Sequence, residues 1–363
     1  MRQAELGPGA ARGHEGRNAY SGPVTNHPLV AHHSTRRTRC LPAARACLTF
    51  FVLCVLGGAL TRVQPASLVH AFQASPVAVR SQLVWLDRAG KRAGVLGILA
   101  DYGNVELSPD GRRLAVAVLD STRGTREIWM YDVATGRHTK FTSDPADENW
   151  LIWSRDGSRV VFNSQRNRGL DLYQAPSSGT GGEEALLIDR DPKWPVSWSP
   201  DGRFILYVIN SQRTGNDVLV LPLFGDRKPF PFLETAAAEN WAAFSPDGKW
   251  VAYSSDESGE AEVYVGQFPP SSGRKVRISS GGGSQARWRR DGKELFYLAP
   301  GRVLMSAAIG KLGPDFAAAV PQPLFEMRYA YGQYHAFDVT ADGQRFLVNS
   351  AVVLPGGPSV VAH

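Results

Sequence analysis

The chain has 363 residues, with 40 basic and 34 acidic side chains, nine Trp, 37 Gly and 24 Pro. That length holds one large domain or two smaller ones, and the Gly-, Pro- and aromatic-rich mix suits short strands joined by tight turns. The net charge of +6 is mostly a property of the N-terminus, since residues 1–45 carry +5 and residues 46–363 only +1; this argues against a nucleic-acid role, which would place the basic excess on the folded body.

Residues 1–45 hold seven Arg and lack apolar periodicity, so a disordered basic leader is expected there. His27, His32 and His33 have nothing in this stretch to hold them in one geometry. Residues 46–61 form a run of 16 uncharged residues preceded by Arg36, Arg37, Arg39 and Arg45. A basic flank followed by an apolar run reads as a signal peptide or signal anchor over 46–62. The run is shorter than the roughly 20 residues of a full span. Positive flanks stay in the cytoplasm, so the remainder is expected to be extracytoplasmic, periplasmic or secreted, with residues 46–61 either cleaved or kept as a membrane anchor. Cys40, Cys47 and Cys54 all fall in this region, and no cysteine follows. The body can therefore hold neither a disulfide nor a Cys-based zinc site. A linker over 63–81 leads into that body.

One short pattern then recurs. It reads Ser108-Pro109-Asp110-Gly111, Ser154-Arg155-Asp156-Gly157, Ser199-Pro200-Asp201-Gly202 and Ser245-Pro246-Asp247-Gly248, with weaker copies at Arg289-Arg290-Asp291-Gly292 and Thr340-Ala341-Asp342-Gly343. Successive Asp positions are 46, 45, 46, 44 and 51 residues apart, the period of one four-stranded propeller blade. Pro presets φ, Asp can accept nearby backbone N–H groups, and Gly takes positive φ without steric cost, so the tetrapeptide predicts a reversal between two strands. None of the six Asp has companion carboxylates at calcium-ligand spacing. The Asp and Gly of each copy are thus read as structural, and no metal or cofactor is expected.

Each turn is flanked by apolar stretches, such as Leu114-Ala115-Val116-Ala117-Val118 and Phe204-Ile205-Leu206-Tyr207-Val208. Residues 82–97 resemble the last two strands of a blade, and residues 335–350 the first two. Joining them in one sheet closes the ring and removes the open edge between the chain ends. The expected fold is an all-β, six-bladed β-propeller of four-stranded antiparallel blades over 82–354, followed by a tail over 355–363. Ser359-Val360-Val361-Ala362 is a competing strand for the closing blade.

At these repeats the sequence resembles the TolB-like β-propeller family, whose WD-like repeats carry a Ser-Pro-Asp-Gly turn. The stretches Leu83-Val84-Trp85-Leu86-Asp87-Arg88-Ala89-Gly90 and Trp288-Arg289-Arg290-Asp291-Gly292-Lys293-Glu294-Leu295-Phe296-Tyr297 look most like the extracytoplasmic propeller of bacterial receptor-type serine/threonine kinases. The kinase signatures themselves are absent from the 363 residues. The resemblance implies contact with a protein partner in the cell envelope and no catalysis. Alternatives are an orphan sensor domain of a kinase-type receptor and a propeller hydrolase or lyase. Similar propellers also cap prolyl oligopeptidases, but Gly282-Gly283-Ser284-Gln285-Ala286 lacks the final Gly of a nucleophile turn.

With the first strand of each repeat innermost, its lead-in residues are expected at the channel mouth: Tyr102, Asn104, Glu148, Trp150, Lys193, Trp194, Glu239, Trp241, Tyr334 and His335. Trp and Tyr dominate binding hot spots, and the charged members would add selectivity. Glu148 and Glu239 are the one carboxylate pair to weigh for catalysis. The column two residues before each turn holds Glu106, Ile152, Ser197, Ala243, Arg287 and Asp338. If it lines the channel, Glu106, Arg287 and Asp338 should form a paired charge network.

Overall fold

The recurring tetrapeptide closes as a hydrogen-bonded reversal in every copy. The Gly amide donates to the carbonyl of the first residue, as Gly111 does to Ser108 at 2.8 Å and Gly202 to Ser199 at 2.9 Å. The Asp carboxylate accepts the hydroxyl of the first residue and the amide two positions on: Ser108 Oγ at 2.6 Å and Arg112 N at 3.0 Å for Asp110. Asp156, Asp201, Asp247 and Asp342 repeat the arrangement. These bonds hold Asp110, Asp156 and Asp342 below the ordinary carboxylate range, with Asp156 at about 2. Asp291 has no hydroxyl before it and is gripped instead by Arg289 at 3.0 Å and by the Lys293 amide at 3.0 Å. The six Gly residues (Gly111, Gly157, Gly202, Gly248, Gly292, Gly343) have φ between 69° and 74°.

The computed structural model describes residues 80–270, 273–313, 316–330 and 334–352. The expected leader (1–45), export segment (46–62), most of the linker (63–81) and the tail (355–363) lie outside the described residues, as does the competing strand at 359–362. Among the described residues no helix is long and apolar enough to cross a membrane.

β1 (Ser81–Asp87) and β2 (Arg92–Ala100) are the outer half of the closing blade. The first whole blade is β3 (Tyr102–Leu107), β4 (Arg113–Asp120), β5 (Thr125–Asp132) and β6 (His138–Lys140). The second is β7 (Glu148–Trp153), β8 (Arg159–Ser164), β9 (Asp171–Pro176) and β10 (Glu184–Leu187). The third is β11 (Lys193–Trp198), β12 (Phe204–Ser211), β13 (Gly215–Pro222) and β14 (Phe230–Leu233). The fourth is β15 (Glu239–Phe244), β16 (Trp250–Ser255), β17 (Glu262–Gln267) and β18 (Lys275–Arg277). The fifth is β19 (Ser284–Trp288), β20 (Glu294–Ala299) and β21 (Val303–Lys311), whose outer neighbour is split between β22 (Ala317–Ala318) and β23 (Gln322–Glu326). That sheet has five strands where four were expected, because two short strands share the outer edge of one long β21.

β24 (Phe337–Val339) and β25 (Arg345–Ala351) complete the ring. The closing sheet runs β2-β1-β25-β24, and β1 pairs with β25 from Ser81↔Ala351 to Asp87↔Arg345. The two chain ends thus share one blade, as the half-repeats required.

Six apolar clusters hold the ring, one at each seam between neighbouring blades. Side chains alternate along a strand, so each second strand feeds two seams. In β8, Val160 and Phe162 face the first blade while Val161 faces the third. In β20, Leu295 and Tyr297 face the fourth blade, and Phe296 and Leu298 the closing one. Burial on both faces is why these strands read as unbroken apolar runs. The innermost strands touch from blade to blade: β3 with β7, β7 with β11, β11 with β15, β15 with β19, and β24 with β3.

Candidate ligand site at the channel mouth

The innermost strands present two cavities, one at each end. The turn end holds about 200 Å³, lined by the whole expected column of Glu106, Ile152, Ser197, Ala243, Arg287 and Asp338. Arg287 donates to both oxygens of Glu106, at 3.1 and 2.5 Å, and its Nε lies 3.8 Å from Asp338. Asp338 also accepts the amides of Leu107 and Val339. Arg287 and Asp338 are buried, and Glu106 is half-buried beside them. Burial raises both carboxyl pKa values, and the Arg287 charge opposes that rise without cancelling it.

The opposite end holds a larger cavity of about 520 Å³, within the range of small-molecule clefts. Trp150, Trp194, Trp241 and Tyr334 give it aromatic walls. Trp150 is the hub, with ring centroids 5.3 Å from Trp241 and 6.0 Å from Tyr334. Buried His335 packs edge-on beneath, 4.8 Å from Trp241 and 6.0 Å from Trp150. Burial, then the Arg287 charge, lowers the His335 pKa well below its usual value, so it stays neutral at physiological pH.

The innermost strands are bulged beside this cavity, with register shifts at Asn149/Leu151, Pro195/Ser197 and Asn240/Ala243. An extra residue re-aims the side chains around it. Trp241 sits in the fourth-blade bulge at φ 57°, a left-handed backbone that costs a bulky residue about 1–3 kcal/mol and persists only when surrounding packing enforces it.

The remaining lining is mostly carboxamide: Asn149, Asn163, Gln165, Asn210, Asn216 and Asn240, with Asp147 as the carboxylate. Asn210 donates to Asn216 at 2.6 Å, and Asn216 to Asn240 at 2.9 Å. Asn149 donates to the Tyr334 hydroxyl at 3.0 Å, and Asn163 to the Lys193 carbonyl at 3.0 Å. The carbonyl oxygens of Asn149 and Asn163 are buried without a partner among the described residues. No cluster of His, Cys, Asp and Glu among the described residues could hold a metal ion.

Of the ten residues expected at the mouth, Trp150, Trp194, Trp241 and Tyr334 line the cavity. The other six are buried beneath or beside it, and the expectation that they face the mouth is corrected. Tyr102 is sealed in the seam with the closing blade, its hydroxyl donating to Ile98 O at 2.7 Å. Asn104 donates to Leu151 O at 3.1 Å and accepts the His335 amide at 3.4 Å. Glu148 accepts Arg166 and Ser164. Lys193 lies between Asp171, at 3.1 Å, and Asp189, at 2.6 Å. Glu239 accepts Thr235. Glu148, Lys193 and Glu239 open their strands and pair in register with Ser164, Ile209 and Ser255, so their side chains turn into the sheet stack. Burial raises both acids, Glu148 to about 7. The Glu148 and Glu239 carboxyls are thus committed to separate blades, and neither lines the cavity.

The cavity-facing member of the repeated Glu-Asn-Trp tripeptide is therefore Asn149 or Asn240, beside the Trp. Asn163 and Asn210, near the ends of β8 and β12, were also missed. They stand seven and nine residues after their turn Asp, so no shared repeat position marks them in the sequence.

A scan against protein-family models finds no match. Over 209 residues, 44% of the chain, it is 27% identical to "Uncharacterized peptidase YuxL" of Bacillus subtilis (strain 168), covering 31% of that protein. Over 167 residues, 41% of the chain, it is 26% identical to "Tol-Pal system protein TolB" of Anaeromyxobacter dehalogenans (strain 2CP-C), covering 38% of that protein. The matches span about a third of the length of these curated relatives. A solved structure described as TolB from Agrobacterium tumefaciens superposes with a TM-score of 0.59 at 16% identity, covering 76% of this chain and 100% of that one. This likeness establishes the fold.

Proposed function

We propose that this chain, whose body is a TolB-like six-bladed propeller, is a non-catalytic binding protein of the cell envelope that engages its partner through the aromatic cavity at the channel mouth. The observation that carries the reading is the cavity's chemistry. Four aromatic side chains, six carboxamides, three aliphatic side chains and one carboxylate line it. Hydrolysis by paired carboxylates needs two acids facing one substrate, and the two Glu residues considered for that role are enclosed in separate blades. Ser284 opens strand β19 and does not sit on a strand-to-helix elbow. An envelope location is supported by the basic flank and apolar run before residue 62. A relative named for the Tol-Pal system also favours a protein partner.

The test is capture from envelope extract with the full tagged chain, compared with Trp150→Ala/Trp241→Ala and, as a control at the other end, Arg155→Ala. Retention of a discrete protein by wild type and the control, and its loss with the double variant, is expected. Turnover of an extract component by the purified chain, or capture indifferent to the double variant, would overturn the reading.

A further inference from the structure

We infer that the mouth cavity accepts a neutral, polyhydroxylated ligand, a short segment of an uncharged oligosaccharide. The inference rests on the binding reading above and names what the cavity holds of that envelope partner: a glycan that the partner carries. Its rims combine two kinds of surface. Trp150, Trp194 and Trp241 are half-buried: Trp150 and Trp194 pack on the core between the third and fourth blades, and Trp241 packs on Trp150 and His335. A ring fixed in this way offers an apolar platform to the C–H face of a sugar at little entropic cost. Around the rings stand carboxamides, each with donors and an acceptor, which match hydroxyl groups that also both donate and accept.

One observation argues against an anionic occupant. Among the described residues no Lys or Arg side chain lines the cavity, so an anionic ligand would lack the charge-assisted contacts that normally hold one. The innermost strands β7, β11 and β15 are each paired on one side only, so a peptide is kept as a comparator in the test. The buried Oδ1 atoms of Asn149 and Asn163 have no partner among the described residues. A buried acceptor left unsatisfied is a local cost to the fold. The left-handed backbone of Trp241 is a second local strain at the same site.

The test titrates the full chain with cellotetraose and chitotetraose as neutral probes, tetragalacturonate as the acidic comparator and tetra-alanine as the peptide comparator. Tryptophan fluorescence and calorimetry are the readouts. Saturable binding of a neutral tetrasaccharide is expected, weakened about tenfold or more by Trp241→Asn, a residue that tolerates the same backbone, and by Trp194→Ala. Unchanged thermal unfolding confirms that each variant folds, and the second stands if the first does not. Binding of tetragalacturonate or tetra-alanine alone, or of no probe at millimolar concentration, would overturn the inference. If envelope capture still depends on Trp150 and Trp241 in that case, the binding reading stands and only the saccharide assignment fails. Loss of both removes the cavity as a site.

Discussion

Arg287 and Glu106 lie 181 residues apart in the chain and meet across the channel in a two-pronged ion pair, at 3.1 and 2.5 Å. Asp338 adds a second carboxyl on the far side of the guanidinium. The three side chains tie the fifth, first and closing blades together at the turn end of the innermost strands.

Arg287→Met should therefore be among the most damaging single changes. It leaves buried Asp338 and half-buried Glu106 without their cation, at a cost of about 3–5 kcal/mol near neutral pH. The loss should shrink as pH falls and both acids take up protons. Urea unfolding at several pH values measures it; an equal loss at pH 5 and pH 8 would contradict the pairing.

Lys193 separates a structural from a recognition role. Its side chain is fully buried between Asp171 and Asp189. Lys193→Met should cost about 3–5 kcal/mol of stability by stranding buried Asp171. Any ligand held at the cavity should keep its affinity in the fraction that folds. Affinity lost with stability intact would return Lys193 to the mouth.

Glu148 predicts a pH dependence of stability. Burial raises its pKa from 4.5 in the unfolded chain to about 7 in the fold. The native state therefore holds this proton more firmly than the unfolded state. The resulting stabilisation is complete below about pH 4.5 and lost as pH rises through 7, an effect of about 3 kcal/mol. Glu148→Gln should flatten this part of the stability profile. The turn carboxylates act oppositely: with lowered pKa values, Asp110, Asp156 and Asp342 lose their contribution in acid below about pH 4. A stability curve for Glu148→Gln that parallels wild type between pH 5 and 8 would rule out this assignment.

Two glycines with the same backbone should respond differently to a methyl group. Gly111 has φ +69° with nothing within 4 Å of an added Cβ, whereas at Gly90, φ +75°, the added carbon would lie 2.7 Å from both Cβ and Cγ of Phe325. Gly111→Ala should cost about 1 kcal/mol for the left-handed backbone alone. Gly90→Ala adds a clash with the base of a ring and should cost about 1–3 kcal/mol more. Chemical unfolding of the two variants checks the order.

The blade count, the turn positions and the pairing of the chain ends were all legible along the chain. They follow from a local motif whose hydrogen bonds lie within a few residues, such as Ser108 to Asp110, repeated at a blade-length period. The axial pairing of Glu106, Arg287 and Asp338 was legible too, because equivalent positions in equivalent blades converge on one axis. The mouth was harder to read. A bulge between Asn149 and Leu151 and another between Asn240 and Ala243 shift the side-chain alternation locally. Counting by twos then puts Glu148 and Glu239 in the cavity and leaves out Asn149 and Asn240. The carboxamide chain from Asn210 through Asn216 to Asn240 crosses from the third blade to the fourth. Such a contact depends on how two sheets pack, and no spacing within either repeat encodes it.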